Sequence, residues 1–245
     1  MTDGARPGLL VDLDGTLVDT NYLHTLAWSR ALQDVGEWAP MNAIHHLIGM
    51  GSDQLVRELL GHDNPAAIEA RHRRYRELIG EARAFPGARE ALAAWHDCGL
   101  VVVIATSSPR DELEAMLEVL AAGGTIDAVT SADDVDRSKP HPDVFAAALQ
   151  AGRVDAARAA VIGDSVWDVH AAQRAGLVAI AVESGGVCAA DLRAAGAVRV
   201  YPSVEAIGDD LSAAVIDDLR HGDGAAPHRT GEAQAAVNRE LDPPV

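Results

Sequence analysis

Apolar residues along this chain gather in short unbroken runs rather than in alternation. Residues 9–13, 100–105 ("LVVVIA"), 159–162 and 177–182 are the strong runs, and 126–130 and 197–201 are weaker ones. Val, Ile, Leu and Ala without a polar face predict strands buried on both sides. The intervals 87–98, 109–122, 142–151 and 166–176 carry helical patterning. Strand and helix in alternation predict an α/β fold, a doubly wound parallel sheet covered by helices.

One interval breaks the rhythm. Roughly 85 residues separate the first two strands, far more than one crossover helix needs. Residues 20–84 are punctuated by Pro40, Gly49, Gly51, Gly61 and Pro65 and offer no strand. They read as an inserted all-helical cap that leaves after Asp19 and rejoins near Phe85. The expected organisation is a core of residues 1–19 and 85–220, a cap of residues 20–84, and a flexible tail, 221–245, that lacks an apolar face.

Against this pattern, polar residues at strand ends stand out. Asp12 and Asp14 close the first run, Thr106, Ser107 and Ser108 follow the second, and Asp164 and Ser165 end the run at 159–162, with Asp168 one turn on. An open parallel sheet binds ligands at the carboxyl ends of its strands, so these residues are expected to converge. Asp12 and Asp14 lie two apart and share a side of the strand if its geometry persists. Crowded carboxylates repel unless a cation intervenes. A set of oxygen ligands without His or Cys favours a hard ion, Mg²⁺. Asp19 reads as a helix cap for the insert. In "TSSPRDEL", Ser108 reads as an N-cap with Asp111 completing a capping box, and the helix N-terminus suits a phosphate held with Thr106 and Ser107.

Composition sharpens the picture at two points. The net charge of −17 argues against nucleic acid as a partner and requires local compensation for an anionic substrate. All but one of the 20 basic residues are arginine, and the exception is Lys139, set between Ser138 and Pro140. A compact ammonium on a stiff turn reads as a placed charge. Two isolated cysteines, no apolar leader and no run of membrane-spanning length predict a cytoplasmic protein with no membrane partner. Oligomeric state is not legible.

"DLDGTLVD", "ATSS", "KPHP" and "GDSVWD", in that order and spacing, resemble the four motifs of the haloacid dehalogenase-like hydrolase superfamily. The insert after the first motif resembles the helical cap of its phosphoglycolate phosphatase and β-phosphoglucomutase branch. The resemblance implies a Rossmann-like core with a mobile cap. It implies Asp12 as nucleophile, Asp14 as general acid and base, and Mg²⁺ held by Asp12, the backbone carbonyl of Asp14 and Asp164. It implies Thr106 as phosphoryl ligand, Lys139 as charge partner, and Asp168 as a support for the metal's waters or for Lys139. Asp14 points to phosphate chemistry, since the dehalogenases lack that residue. The substrate class is then a small phosphorylated metabolite such as phosphoglycolate or a sugar phosphate.

His24 and Trp28 share a helix face where the mutase has a histidine and a tryptophan, and they read rather more as ordinary cap packing than as substrate contacts. Ser52 stands where the mutase pattern has an arginine, Pro109 where it has a lysine, and Gly163 where it has a glutamate, which favours a phosphatase over a mutase. Arg110, Arg57 and the run at 70–79 offer further substrate contacts, the run reading as a solvated helix face. His45-His46 reads as a surface pair. A phosphate-receiving signalling domain has a different order of motifs, and a non-catalytic phosphate-binding relative would not need every one of these positions filled.

Overall fold

A computed structural model describes residues 5–210. The sheet strands are β1 (Arg6–Val11), β4 (Val101–Ala105), β5 (Ala128–Thr130), β6 (Val154–Gly163), β7 (Val178–Val182) and β8 (Arg199–Tyr201). They pair in parallel throughout, in the order β5-β4-β1-β6-β7-β8. The chain winds outward from β1 in one direction, then returns to β1's other flank at β6. That reversal opens a crevice at the carboxyl ends of β1 and β6.

Strand alternation divides the core in two. Leu9, Val11, Val102 and Ile104 face α5 (Ala88–Asp97), α6 (Arg110–Leu120) and α10 (Val204–Asp210), where Leu92, Trp95, Leu113, Met116 and Ile207 complete one cluster. Leu10, Val101, Val103 and Val161 face α7 (Asp143–Gly152), α8 (Val166–Arg174) and α9 (Ala189–Ala195), with Phe145, Ala148, Val169 and Leu192 on the second. Both faces are buried, which is why these strands read as continuous apolar runs.

Between β1 and α5 lie α1 (Asn21–Asp34), α2 (Met41–Leu47), α3 (Ser52–Leu60) and α4 (Pro65–Arg76). They pack on a third cluster that includes Trp28, Leu32, Ile44, Leu55 and Val56. Pro65 opens α4, and the Asn64 side chain accepts from Ala67 N–H. Gly61, at φ 74°, ends α3 in a left-handed turn closed to the Arg57 carbonyl.

The insert is not free of strand. Val18–Asp19 (β2) and Arg83–Ala84 (β3) pair antiparallel, Val18 against Ala84 and Asp19 against Arg83. Two-residue strands are too short to leave a period in the sequence. Asp19 therefore sits exposed in β2 instead of capping α1, whose N-cap is Thr20 without a side-chain cap bond. Expected strand edges also shift, with β1 starting at Arg6 and β6 at Val154. The expected tail, 221–245, and residues 211–220 lie outside the described residues. Among the described residues, no helix is long and apolar enough to cross a membrane.

Candidate active site

Asp12 follows the last residue of β1, and its N–H is fixed by the Ile162 carbonyl of β6. Asp164 follows β6, and Asp168 occupies the third position of α8, where it forms a capping box with Ser165. Carboxylate oxygens of Asp12, Asp164 and Asp168 all lie within 4.8 Å of one another, and all three residues are buried. Lys139, 1% exposed, places Nζ 2.7 Å from Asp12 Oδ1 and 2.8 Å from Asp168 Oδ1. Its ammonium also lies over the Phe145 ring. Asp164 accepts from Thr16 Oγ1 at 2.9 Å and from Asn21 Nδ2 at 2.8 Å.

One ammonium does not offset three buried carboxylates. Burial and the charges of Asp168, Asp164 and Asp14 hold the Asp12 carboxyl well above the usual carboxylate range, against the pull of Lys139. Burial and Asp168 push Asp164 up to about 7, against its bonds from Asn21 and Thr16. Burial pulls Lys139 down, but Asp12 and Asp168 outweigh it and raise its ammonium well above the usual value. A divalent cation relieves such crowding. The donors fit a hard ion, being all oxygen. Glycine keeps the surroundings close, since a Cβ at Gly185 or Gly15 would strike the Asp164 carboxylate.

Asp14 lines the same crevice but stands apart from that trio. β1 has ended at Val11, and the chain turns at Gly15 (φ 72°), so the two aspartates no longer share a strand's regular geometry. The Asp14 side chain is accordingly not one of the clustered carboxylates. Its side chain accepts from Thr20 Oγ1 at 2.6 Å, Ser108 Oγ at 2.7 Å, Thr106 Oγ1 at 3.2 Å and His24 Nε2 at 2.7 Å. Burial alone would raise this carboxyl, but the contact with His24 and the hydroxyl donors hold it well below the usual range.

His24 thus belongs to the site as well as to the cap. Arg71 Nη2 approaches its Nδ1 at 2.6 Å. A guanidinium only donates, so Nδ1 accepts and Nε2 carries the proton given to Asp14. The ring stacks on Tyr75 at 4.0 Å between centroids. Arg71 also pairs with Glu112 on the first turn of α6, and His72 reaches the same Glu112 oxygen. Burial pushes the Glu112 carboxyl up, but the His72 bond and the Arg71 charge outweigh it and hold it below its ordinary value. Arg71 Nε and Glu112 Oε2 are buried without hydrogen-bond partners, each an unmet bond costing about 1–3 kcal/mol if left so.

The run at 70–79 is therefore only partly a solvated face. Arg73, Arg74 and Arg76 are on it, while Arg71 is 5% exposed. Ala67, Ala70, Arg71 and Tyr75 are the buried positions of α4. Their helical spacing places Arg71 on the inward stripe, and that was the signal for it in the sequence. Glu112 had none, because its partner comes from another element.

The expected cap on α6 is absent. Ser108 Oγ is spent on Asp14, Pro109 holds the N-cap position, and Arg110 N–H bonds Asp133 instead. Thr106 Oγ1 receives Ser108 N–H and gives its own proton to Asp14, so neither group is open to an anion as the sequence suggested. Ser107 Oγ is buried without a partner and lines the crevice. Trp28 packs in the cap cluster and also lines the crevice, as does Ser52. Arg110 pairs with Asp134 and Arg57 with Asp63, both away from it. His45 stacks on Tyr22.

The cap is closed over these groups. Gly51 N–H bonds the Lys139 carbonyl, and Trp167 Nε1 bonds the His46 carbonyl. The cavity between the helical insert and the core is about 40 Å³, room for a few waters.

Comparison with known proteins follows the same lines. Residues 9–182 match the family model described as haloacid dehalogenase-like hydrolase. The chain belongs to this family. A phosphoglycolate phosphatase of Cupriavidus necator is 32% identical to this hydrolase over 208 residues, 81% of this chain and 90% of that one. A hydrolase structure from Pseudomonas syringae superposes with a TM-score of 0.80 at 32% identity, covering 84% of this chain and 98% of that one. CbbY from Rhodobacter sphaeroides, solved with phosphate, gives a TM-score of 0.71 at 25% identity, over 86% and 99% of the two chains.

Proposed function

We propose that this hydrolase is a Mg²⁺-dependent phosphatase acting on a small organic phosphomonoester through an aspartyl-phosphate at Asp12. The observation that carries the reading is the buried trio Asp12, Asp164 and Asp168 with Lys139 bridging two of its members. In this reading residues 20–84 act as a cap on a core of 1–19 and 85–220. Phosphatases among the relatives support the reaction class.

Asp12, Asp164 and the Asp14 carbonyl would hold the ion, which supplies positive charge against the phosphoryl oxygens. Lys139 fixes one oxygen of Asp12 and leaves the other to attack phosphorus. That bond forms as the ester P–O bond breaks, and Asp14, entering this half in its protonated form, delivers that proton to the departing alcohol oxygen and is left as the carboxylate. In the second half Asp14 takes a proton from water, which attacks the same phosphorus and frees Asp12. The carboxylate form of Asp14, held by His24, Thr20, Thr106 and Ser108, is the one that second half requires. Ser107, with a free hydroxyl at the crevice, is the phosphoryl contact, while the Thr106 hydroxyl is spent on Asp14. Asp168 anchors Lys139. Phosphoryl transfer is dominated by such positioning and charge.

The mutase reading needs a second phosphate site in the cap. Ser52 and an Arg71 already paired with Glu112 speak against it. Both cysteines are free thiols, in keeping with a reduced, cytoplasmic setting. The test is release of phosphate from p-nitrophenyl phosphate with and without Mg²⁺. No release in saturating Mg²⁺ would end the proposal.

A further inference from the structure

The cap wall facing the catalytic aspartates carries information about the alcohol. It presents Trp28, Ile48, Met50 and Leu55 as apolar surface, Ser52 as a small hydroxyl, and Arg71 as its one cation among the described lining residues. We infer that this wall selects phosphate esters of neutral, hydroxyl-bearing alcohols over esters whose alcohol carries a second anion. The inference rests on the phosphatase reading above and names the substrate class of that site.

Charge accounts for the exclusion. Arg71 is paired with Glu112, 3% exposed, and donates to His24. Turning Arg71 toward a substrate carboxylate would strip Glu112 of its counter-charge in a buried place, where an unpaired charge is strongly disfavoured. Lys139 is occupied by Asp12 and Asp168. The N-terminal turn of α3 is the remaining electropositive feature beside Ser52, and it already carries Asp53. A carboxylate on the leaving alcohol would enter beside Asp14 with the Lys139 ammonium and both terminal nitrogens of Arg71 already committed to other partners.

The same residues account for the acceptance. Arg71 Nε is a buried N–H without an acceptor on a residue that lines the crevice. A hydroxyl oxygen placed there would satisfy it without disturbing the Glu112 pair. Ser52 Oγ can give or take a second such bond, and Trp28 offers an apolar face to a carbon skeleton. Sites that hold a polar donor in this way discriminate strongly between partners that meet it and those that do not.

The cleanest probe is a pair of equal size that differs in charge: ethylene glycol monophosphate, whose alcohol is neutral, and phosphoglycolate, whose alcohol is a carboxylate. Both are assayed in saturating Mg²⁺ beside p-nitrophenyl phosphate. The expected result is a kcat/KM about tenfold or more in favour of the neutral ester. A smaller ratio, or no turnover of either while p-nitrophenyl phosphate is cleaved, overturns the inference and leaves the phosphatase reading standing. Failure on all three compounds sinks the phosphatase reading and the inference with it. Ser52→Arg supplies the missing charge, and should shift the ratio about tenfold toward phosphoglycolate through KM rather than kcat. An unchanged ratio in a Ser52→Arg protein that melts like the parent also overturns it.

Discussion

Arg71 of the cap and Glu112 of the core form an ion pair that is almost wholly withdrawn from solvent, with side-chain exposures of 7% and 2%. It joins the helical insert to the α/β core, and it sits one side chain, His24, away from Asp14. Replacing Glu112 by Gln leaves a buried guanidinium without its counter-charge, a loss on the order of 3–5 kcal/mol. The lowered Glu112 carboxyl gives this a sign with pH. Its stabilisation is present above the ordinary value of 4.5 and is lost as pH falls through the lowered one. Thermal unfolding of parent and Glu112→Gln should differ by a constant margin near neutrality, and the margin should shrink below about pH 4.

Asp12→Asn should reduce phosphate release to background, a loss of about 10⁴-fold or more, with the circular dichroism spectrum unchanged. Full activity in that variant would remove Asp12 from the nucleophile's role.

Asp14→Asn should cost about 10²–10⁴-fold in turnover. It impairs the attack of water as well as the first transfer. Rapid quenching and intact-mass measurement should then find the variant carrying the mass of one phosphoryl group whenever the first transfer remains the faster step.

Added Mg²⁺ should raise the melting temperature, since an ion that binds only the folded chain stabilises it by mass action. At a hundredfold excess over its Kd the gain is about 2.7 kcal/mol, or roughly 5–10 °C for a chain of this size. Asp164→Asn should abolish the shift. An unaltered shift would place the ion elsewhere.

Gly49→Ala tests closure. Gly49 stands at φ 99°, and an added Cβ would come 2.7 Å from Ser165 Oγ. The strain and the clash together should lower kcat/KM about tenfold or more, while Mg²⁺ still raises the melting temperature.

Much of the catalytic core was legible because strand ends are marked twice, by an apolar run and by the polar residue that stops it. Asp12 and Asp164 could be placed in one crevice from that alone, whereas Lys139 was marked by its uniqueness and its stiff turn and tied to Asp12 only by the family resemblance. His24 was ambiguous because one helix face can serve packing and chemistry together, as it does here. Arg71 was hidden inside a run of arginines, although its spacing from Ala67 and Tyr75 marked the inward side. Glu112 and the committed hydroxyl of Ser108 depend on partners from other elements, and local capping rules pointed Ser108 the wrong way. The β2–β3 ladder is two residues long, below the length at which alternation exists.

That short ladder has a consequence for how such molecules diversify. Val18 faces Ala84 and Asp19 faces Arg83, so the chain departs from the sheet and comes back to it at neighbouring points. A whole helical module can therefore be exchanged at one seam while the strands beneath keep their register. In the phosphatase reading proposed above, selection of the alcohol and transfer of the phosphoryl group would then be separately inheritable traits. A replacement module would have to replace the contacts of Thr20 and His24 with Asp14, while Thr106 and Ser108 would still reach it from the core.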